Sequence, residues 1–315
     1  MGLTRKDLED PNLKPEDRRD YEILIARYLE CDKWAKRALQ PIGVLITSHP
    51  GNRAYLKASL ETHKKLGYWT TLVYDNYFAD GDNVDYNVYL PPRDIMDIVD
   101  TFIMPHHQTW GGVLYPYFWL LKFGLSVMTQ NFEYVYCANG DCIIENPENF
   151  PKIIEMLGDA DILGCGWETE PDCFNTTSFI AKSSAIHKLM KHFEEHFIPL
   201  DNYEKYTQEI GNCESRFAVA IKELGLKQVI VPENPYNTQL HKKGGTWYDI
   251  LGFRHIHAEH AFCYRYHSYD IPEIKYLDSR FMGGEYNTIK EYWELKKDGK
   301  EEEAKKLLEG WWCKA

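Results

Sequence analysis

The residues that point most directly to chemistry are Asn139, Gly140 and Asp141. They end an apolar run, rich in β-branched and aromatic side chains, that predicts a buried strand. Open α/β sheets bind ligands at the carboxyl ends of their strands, so Asp141 is predicted to be a functional acid at a strand tip. All three residues also favour turns, and a simple turn is the alternative interpretation.

Two earlier strands are predicted to end in polar side chains. The short apolar run 42–49 closes in hydroxyl groups and an imidazole, and the run 68–76 closes at Asp75. Between them, residues 53–66 have apolar side chains at helical spacing. Strand, helix and strand within about 35 residues indicate a βαβ unit with parallel strands.

The rest of the chain continues this alternation. Helices are predicted over 21–39, 92–100, 115–129, 148–157, 183–197, 213–224 and, as a pair, 287–313, and strands over 101–104, 161–166, 178–181 and 227–231. The pattern predicts an α/β fold with a mixed, mostly parallel central sheet flanked by helices. It divides the chain into a helical N-terminal extension (1–40), a main domain (41–270) that is loop-rich after 232, and a helical C-terminal tail (271–315).

Composition narrows the class of protein. The 315-residue chain is 14% aromatic and carries a net charge of -12, which disfavours a general nucleic-acid surface because such binding depends on Lys and Arg. Its eight cysteines are scattered without a C-x-x-C pair, which favours free thiols in a reducing compartment. The sequence has neither an apolar run of roughly 18 to 20 residues nor the apolar core of a signal peptide. We therefore expect a cytoplasmic protein without a transmembrane segment.

Three stretches together resemble a known family. They are ITSHPGNRAYL at 46–56, YDN at 74–76 and YVYCANGD at 134–141. In this order they resemble the GT-A fold of nucleotide-sugar-dependent glycosyltransferases, and in particular inverting enzymes like those of family 2. The resemblance covers roughly residues 41–265. It implies that a sugar passes from a nucleotide-diphosphate donor, a UDP-sugar, to the hydroxyl group of a glycan, small molecule or modified polymer.

The resemblance also implies a nucleotide site. Ser48, His49 and Arg53 at the first strand tip would hold the base and ribose, with Asp75 accepting a hydrogen bond. A strand–helix junction with a surface arginine is the structural alternative. Asn139 stands where the family has the first acid of its Asp-x-Asp motif, and it would bind the ribose. Further along, Lys242 and Lys243 would fold over the pyrophosphate.

Asp141 would hold the divalent cation that the family uses. A third ligand usually comes from a histidine or acid far downstream, where His257, His255 and His260 are candidates in that order, and His241 is a fourth. Imidazole combined with carboxylate suits manganese, with magnesium as the alternative. Having asparagine at position 139 leaves one carboxylate fewer than the family motif, which predicts weaker metal binding.

Glu214 resembles the acid at a helix start that deprotonates the acceptor in inverting members. A glutamate at a helix N-terminus is also favourable with the helix dipole alone. Trp167, Glu168 and Trp247 are candidates for the acceptor site. A retaining glycosyltransferase, a sugar-phosphate nucleotidyltransferase and a non-catalytic nucleotide- or sugar-binding protein remain alternatives.

Overall fold

The computed structural model describes residues 40–75, 78–80, 83–85, 90–104, 120–125, 128, 132–167, 170–196, 213–232, 250–255 and 273–312. The chain divides into two compact units, Met1–Pro41 and Ile42–Ala315. The elements described below all belong to the second unit.

Seven of the described strands form a central sheet in the order β10-β8-β9-β6-β1-β2-β5. The strands are β1 (Ile42–Ser48), β2 (Trp69–Asp75), β3 (Phe78–Asp80), β4 (Asn83–Asp85), β5 (Asp100–Met104), β6 (Tyr134–Asn139), β7 (Cys142–Ile144), β8 (Ile162–Trp167), β9 (Glu170–Lys182), β10 (Gln228–Pro232) and β11 (Phe253–His255). Within this sheet β9 runs antiparallel to β6 and β8, and the other pairings are parallel. The predicted mixed, mostly parallel α/β sheet is confirmed. Two small antiparallel pairs, β11 with β7 and β3 with β4, complete the described strands.

Helices cover both faces of the sheet. They are α1 (Arg53–Lys64), α2 (Arg93–Met96), α3 (Phe150–Leu157), α4 (Ser183–His196), α5 (Cys213–Glu223), α6 (Gly283–Lys297) and α7 (Glu301–Trp312), and residues 120–125 are also helical. Successive residues of β1 point to opposite faces, as a strand requires. Val44 packs in one apolar core with Leu60 of α1, whereas Leu45 packs in a second core with Leu121 and with Phe217 of α5.

The C-terminal segment packs against α1 and β7. Two 3-10 turns, Ile274–Tyr276 and Ser279–Phe281, lead into α6. Met282 and Ile289 are buried in a third apolar cluster with Tyr55. The segment therefore lies against the same α1 that follows the first strand tip. In the described part of the chain, no helix is both long and apolar enough to cross a membrane.

Two predicted element boundaries were wrong. The helix expected over 92–100 is only one turn long, because Asp100 already pairs with Thr71 in the sheet. The strand expected over 178–181 belongs to the 13-residue strand β9. In the stretch that is predicted to be loop-rich, 232–270, the described residues 253–255 form the short strand β11.

Candidate active site

Three parallel strands end at one edge of the sheet. The register pairs Thr47 with Asn139 and Ser48 with Tyr74, so the carboxyl ends of β1, β2 and β6 are level. Asp75 closes β2 and is buried. The βαβ pattern therefore brings the predicted nucleotide-binding groups of both strand tips beside the Asn139 turn, at the edge where open α/β sheets bind ligands.

The turn after β6 is docked onto the end of β1. Thr47 Oγ1 donates a hydrogen bond to Asn139 Oδ1 at 3.1 Å, and the Gly140 amide donates to the Thr47 carbonyl at 2.8 Å. A Cβ on Gly140 would lie only 2.3 Å from Ser48 Oγ. Glycine is needed here because the two backbones approach so closely. The turn is thus a packed junction, and it holds the buried Asp141 immediately after it.

His255 lies next to Asp141. It is carried by β11, which pairs antiparallel with β7 so that His255 is opposite Cys142. Its Nε2 is 3.3 Å from Asp141 Oδ2, and the two side chains are only 3% and 8% exposed. The sequence placed His257 ahead of His255 as a metal ligand. The structure brings His255 to Asp141, and His257 lies outside the described residues.

The Cys142 thiol joins this pair. Its sulfur is 3.9 Å from Asp141 Oδ1 and 3.7 Å from the Thr177 carbonyl. Asp141, Cys142 and His255 offer metal-ligating atoms that all lie within 4.8 Å of one another. Burial, and then the Asp141 carboxylate, raises the pKa of the Cys142 thiol well above its usual range. A buried carboxylate beside an imidazole fits a divalent cation, so the residues present suit the metal that the resemblance implies.

Glu214 lies in the first turn of α5, near this cluster. Burial raises the pKa of Glu214, and the nearby His255 partly opposes that rise. Helix α5 is fixed by Phe217, whose ring is stacked on Phe174 at 5.9 Å and tilted against Phe193 at 5.0 Å. The helix start therefore places a carboxylate with raised proton affinity within electrostatic reach of His255.

Arg53 opens α1 beside the first strand tip. Its Nε donates to the Pro50 carbonyl at 3.0 Å, and its guanidinium carbon lies 5.2 Å from the centre of the Phe281 ring. Burial raises the pKa of the Tyr74 hydroxyl; Arg53 opposes the rise and Asp75 adds to it. Arg53 is thus held by C-terminal residues as well as by its own turn, within electrostatic range of the end of β2.

The described residues include only part of the predicted site. Glu168, His241, Lys242, Lys243, Trp247, His257 and His260 lie outside the described residues. Trp167 ends β8, where only its backbone is described, and His49 follows β1 with its side chain partly buried. The structure therefore groups Ser48, Asp75, Asn139, Asp141 and His255 around one edge of the sheet.

Cys142 is the group that sequence reasoning missed. The sequence feature that could have indicated it is its position directly after Asp141, at the start of a short apolar strand. That signal becomes meaningful only once β11 is known to pair with β7. The bulge of β9 was equally hidden: between Gly164 and Cys165 the pairing jumps from Phe179 to Asn175, which brings the Thr177 carbonyl towards the thiol.

No protein-family model matches the chain, and neither does any curated protein. Among solved structures, one similar chain is titled a "putative nucleotide-diphospho-sugar transferase" from Desulfovibrio desulfuricans G20. It is 8% identical with a TM-score of 0.39, over 62% of this chain and 80% of that one. Another is the 4-diphosphocytidyl-2C-methyl-D-erythritol synthase from Anaerococcus prevotii DSM 20548, 14% identical with a TM-score of 0.41, over 62% and 90%. Identities and TM-scores this low give no information about the site.

Proposed function

We propose that the protein is a glycosyltransferase that moves a sugar from a UDP-sugar to an acceptor hydroxyl, with inversion at the anomeric carbon. The proposal rests chiefly on the contact of 3.3 Å between His255 Nε2 and Asp141 Oδ2 at the carboxyl edge of the sheet. Two segments far apart in sequence supply a buried imidazole and a buried carboxylate there. Neither side chain contributes to an apolar core, and two buried polar groups side by side favour a ligand site over a simple turn.

Asp141 and His255 would hold a divalent cation, manganese or magnesium, which when bound neutralises charge that develops on the departing diphosphate. The side-chain oxygen Oδ1 of Asn139 already accepts a hydrogen bond from Thr47, so the N–H groups of the Asn139 side-chain amide are the ones that donate to the ribose. Asp75 accepts a hydrogen bond from the base or ribose. Arg53, with His49, contacts the base and ribose at the first strand tip, and Lys242 and Lys243 supply positive charge to the diphosphate.

Ser48 completes the nucleotide side of the proposed site. Its hydroxyl is buried and has no hydrogen-bond partner among the described residues. A buried hydroxyl without a partner costs free energy, and a bound ligand that hydrogen-bonds to it removes that cost. We assign the Ser48 hydroxyl to the bound nucleotide for this reason.

Glu214 is proposed as the general base that takes the proton from the acceptor hydroxyl. Burial raises the pKa of Glu214, and a base with raised proton affinity is better matched to proton abstraction near neutral pH. Trp167, Glu168 and Trp247 are proposed to bind the acceptor. Glu214→Gln should leave UDP binding intact and reduce transfer by about 100-fold or more.

The proposal is tested by calorimetry with UDP, with and without manganese, and by a screen of nucleotide sugars for transfer and hydrolysis. Manganese should raise UDP affinity at least about tenfold in the wild type and not in Asp141→Ala. Asp159→Asn is the control, because Asp159 is an exposed acid just before β8, at the opposite edge of the sheet. UDP affinity independent of manganese would contradict the metal role.

The chemistry of the products separates the other possibilities. Retention of the anomeric configuration would replace the inverting reaction with a retaining one. Pyrophosphate release from a nucleoside triphosphate and a sugar phosphate would indicate nucleotidyl transfer. Metal-enhanced UDP binding with no turnover of any nucleotide sugar would leave a non-catalytic binding protein. Each of these outcomes overturns glycosyl transfer with inversion.

A further inference from the structure

We propose that Cys142 is a third, thiolate ligand of the cation at Asp141 and His255, so that this site binds zinc or cobalt more tightly than manganese or magnesium without excluding them. The inference deepens the proposed function because it concerns the same site. Thiolate is a soft ligand, and softness is what separates zinc sites from the oxygen sites of magnesium.

The β7–β11 pair places the thiol and the imidazole on one face. Cys142 and His255 are directly opposite each other in an antiparallel register, with Ile143 opposite Arg254. Directly opposed residues of such a pair point to the same side of the ribbon. Asp141 precedes Cys142, so one turn and one cross-strand pair deliver all three groups.

The distances suit a small tetrahedral ion. Zinc bonds of about 2.0–2.2 Å to nitrogen and oxygen and about 2.3 Å to sulfur require ligand atoms roughly 3.4 Å apart for N···O and roughly 3.6 Å for S···O. His255 Nε2 is 3.3 Å from Asp141 Oδ2, and Cys142 Sγ is 3.9 Å from Asp141 Oδ1. All three ligand atoms lie within 4.8 Å of one another. Side-chain movements of about 1 Å would bring ligand atoms that lie within 4.8 Å of one another to the separations of a tetrahedral site.

Cys142 differs in this respect from the other buried thiols. Cys137 and Cys165 are also free and buried, but among the described residues only Cys142 belongs to a group of metal-ligating atoms. Its present acceptors lie at 3.7 and 3.9 Å, the long end for sulfur. Binding exchanges the S–H bond for a metal–sulfur bond, and the proton leaves to solvent. Three protein ligands leave one position open, as catalytic zinc sites do.

The test is cobalt absorption with the whole protein. Cobalt added to the wild type should give a thiolate-to-metal charge-transfer band in the near ultraviolet, and one equivalent of zinc should abolish it. The band should persist in Cys165→Ala, the matched control, and disappear in Cys142→Ala. Zinc affinity should fall at least about 100-fold in Cys142→Ala, while manganese affinity changes by less than about threefold.

A wild-type protein that binds cobalt without the band overturns the inference, and so does a band that survives in Cys142→Ala. Absence of the band in the wild type overturns the inference even if Cys142→Ala does not fold. UDP calorimetry keeps the two proposals apart. Manganese-enhanced UDP binding without a thiolate band leaves the glycosyltransferase proposal standing and removes Cys142 from the site. A thiolate band without UDP binding does the reverse.

Discussion

Gly140→Ala is the substitution that most directly tests how the site is held. A Cβ at position 140 would lie 2.3 Å from Ser48 Oγ, 2.6 Å from Ser48 Cβ and 3.1 Å from Leu56 Cδ1. Rotation of the serine side chain relieves the first contact. It does not relieve the second, because Cβ is fixed to the backbone. The two strand tips must therefore separate, and Asp141 moves with them.

The cost follows from the size of the overlap. Overpacking in a well-packed interior costs about 1–3 kcal/mol, and this site is at the upper end because backbone must move. Ser48→Gly alone should cost about 1 kcal/mol or less, from the backbone freedom of the unfolded glycine. In the double variant both serine contacts vanish. Its cost should be close to that of Ser48→Gly, which gives a coupling free energy of about 1–3 kcal/mol.

Urea unfolding followed by tryptophan fluorescence measures these free energies, and UDP calorimetry with metal reports on the site. Ser48→Ala is the matched control, since it removes Oγ and keeps the Cβ at 2.6 Å. It should rescue Gly140→Ala only weakly. Metal-dependent UDP binding should be lost in Gly140→Ala and partly return with Ser48→Gly. Additive free energies in the double variant would refute the close contact between the two tips.

Three further predictions concern the surrounding core. Burial lowers the pKa of His63 to about 4 from 6.5. The folded protein therefore keeps its full stability above pH 6.5 and loses about 3 kcal/mol of the free energy of unfolding as the pH falls to 4. In His63→Gln the free energy of unfolding, measured with urea, should depend less on pH across that range. Glu145→Ala removes the carboxylate that accepts hydrogen bonds from both Tyr276 and Arg254. It should lower the free energy of unfolding by about 1 kcal/mol in the same assay and weaken metal binding measured by calorimetry. Unchanged metal affinity would show that Glu145 does not support the proposed metal site. In Gly252→Ala the new Cβ would lie 2.8 Å from Glu145 Cβ, on a backbone whose φ of +56° disfavours alanine. Thermal unfolding should show a loss of about 2 kcal/mol in stability. A variant as stable as the wild type would contradict this.

The sheet edge could be predicted because its strands are buried on both faces. Runs such as 42–48 and 134–138 are almost continuously apolar, which is how strands of a parallel sheet read in sequence. The polar residue at each strand end then marks the edge. Once the βαβ order is known, parallel register brings those ends together without any further information. Ser48, Asp75 and Asp141 were found in this way.

Only the part of β9 over 178–181 was predicted, because the middle of the strand is polar. Residues Asn175–Ser178 are buried, yet they interrupt the apolar pattern. Their polar groups are satisfied locally: the Thr177 amide donates to Asn175 Oδ1 at 2.9 Å, and Ser178 Oγ donates to the Tyr136 hydroxyl at 2.9 Å. The bulge opposite Gly164 accommodates them. A pattern of alternating hydrophobicity cannot reveal a strand whose polar side chains find partners only in the folded sheet.

The sequence could not show whether His255 or His257 lies beside Asp141, for a different reason. Side chains two residues apart in a strand share a face, so periodicity favours neither. Proximity to Asp141 is set by a three-residue strand whose partner lies more than 100 residues earlier. Such a long-range register has no local signature, and short strands carry little pattern. For the same reason the sequence could not show that Cys142 lies opposite His255.

The position of His255 depends on a junction outside the site itself. The Glu145 and Asn146 amides both donate to the Leu251 carbonyl, at 3.1 and 2.8 Å, which fixes the chain just before β11. The Glu145 carboxylate then binds Arg254 at 3.1 Å and the hydroxyl of Tyr276. Tyr276 belongs to the C-terminal segment, so that segment packs on α1 and also braces the strand that carries His255. Because Arg254 adjoins His255, loss of these contacts would act through the backbone on the proposed cation site, so the turn that carries Tyr276 helps to keep His255 beside Asp141.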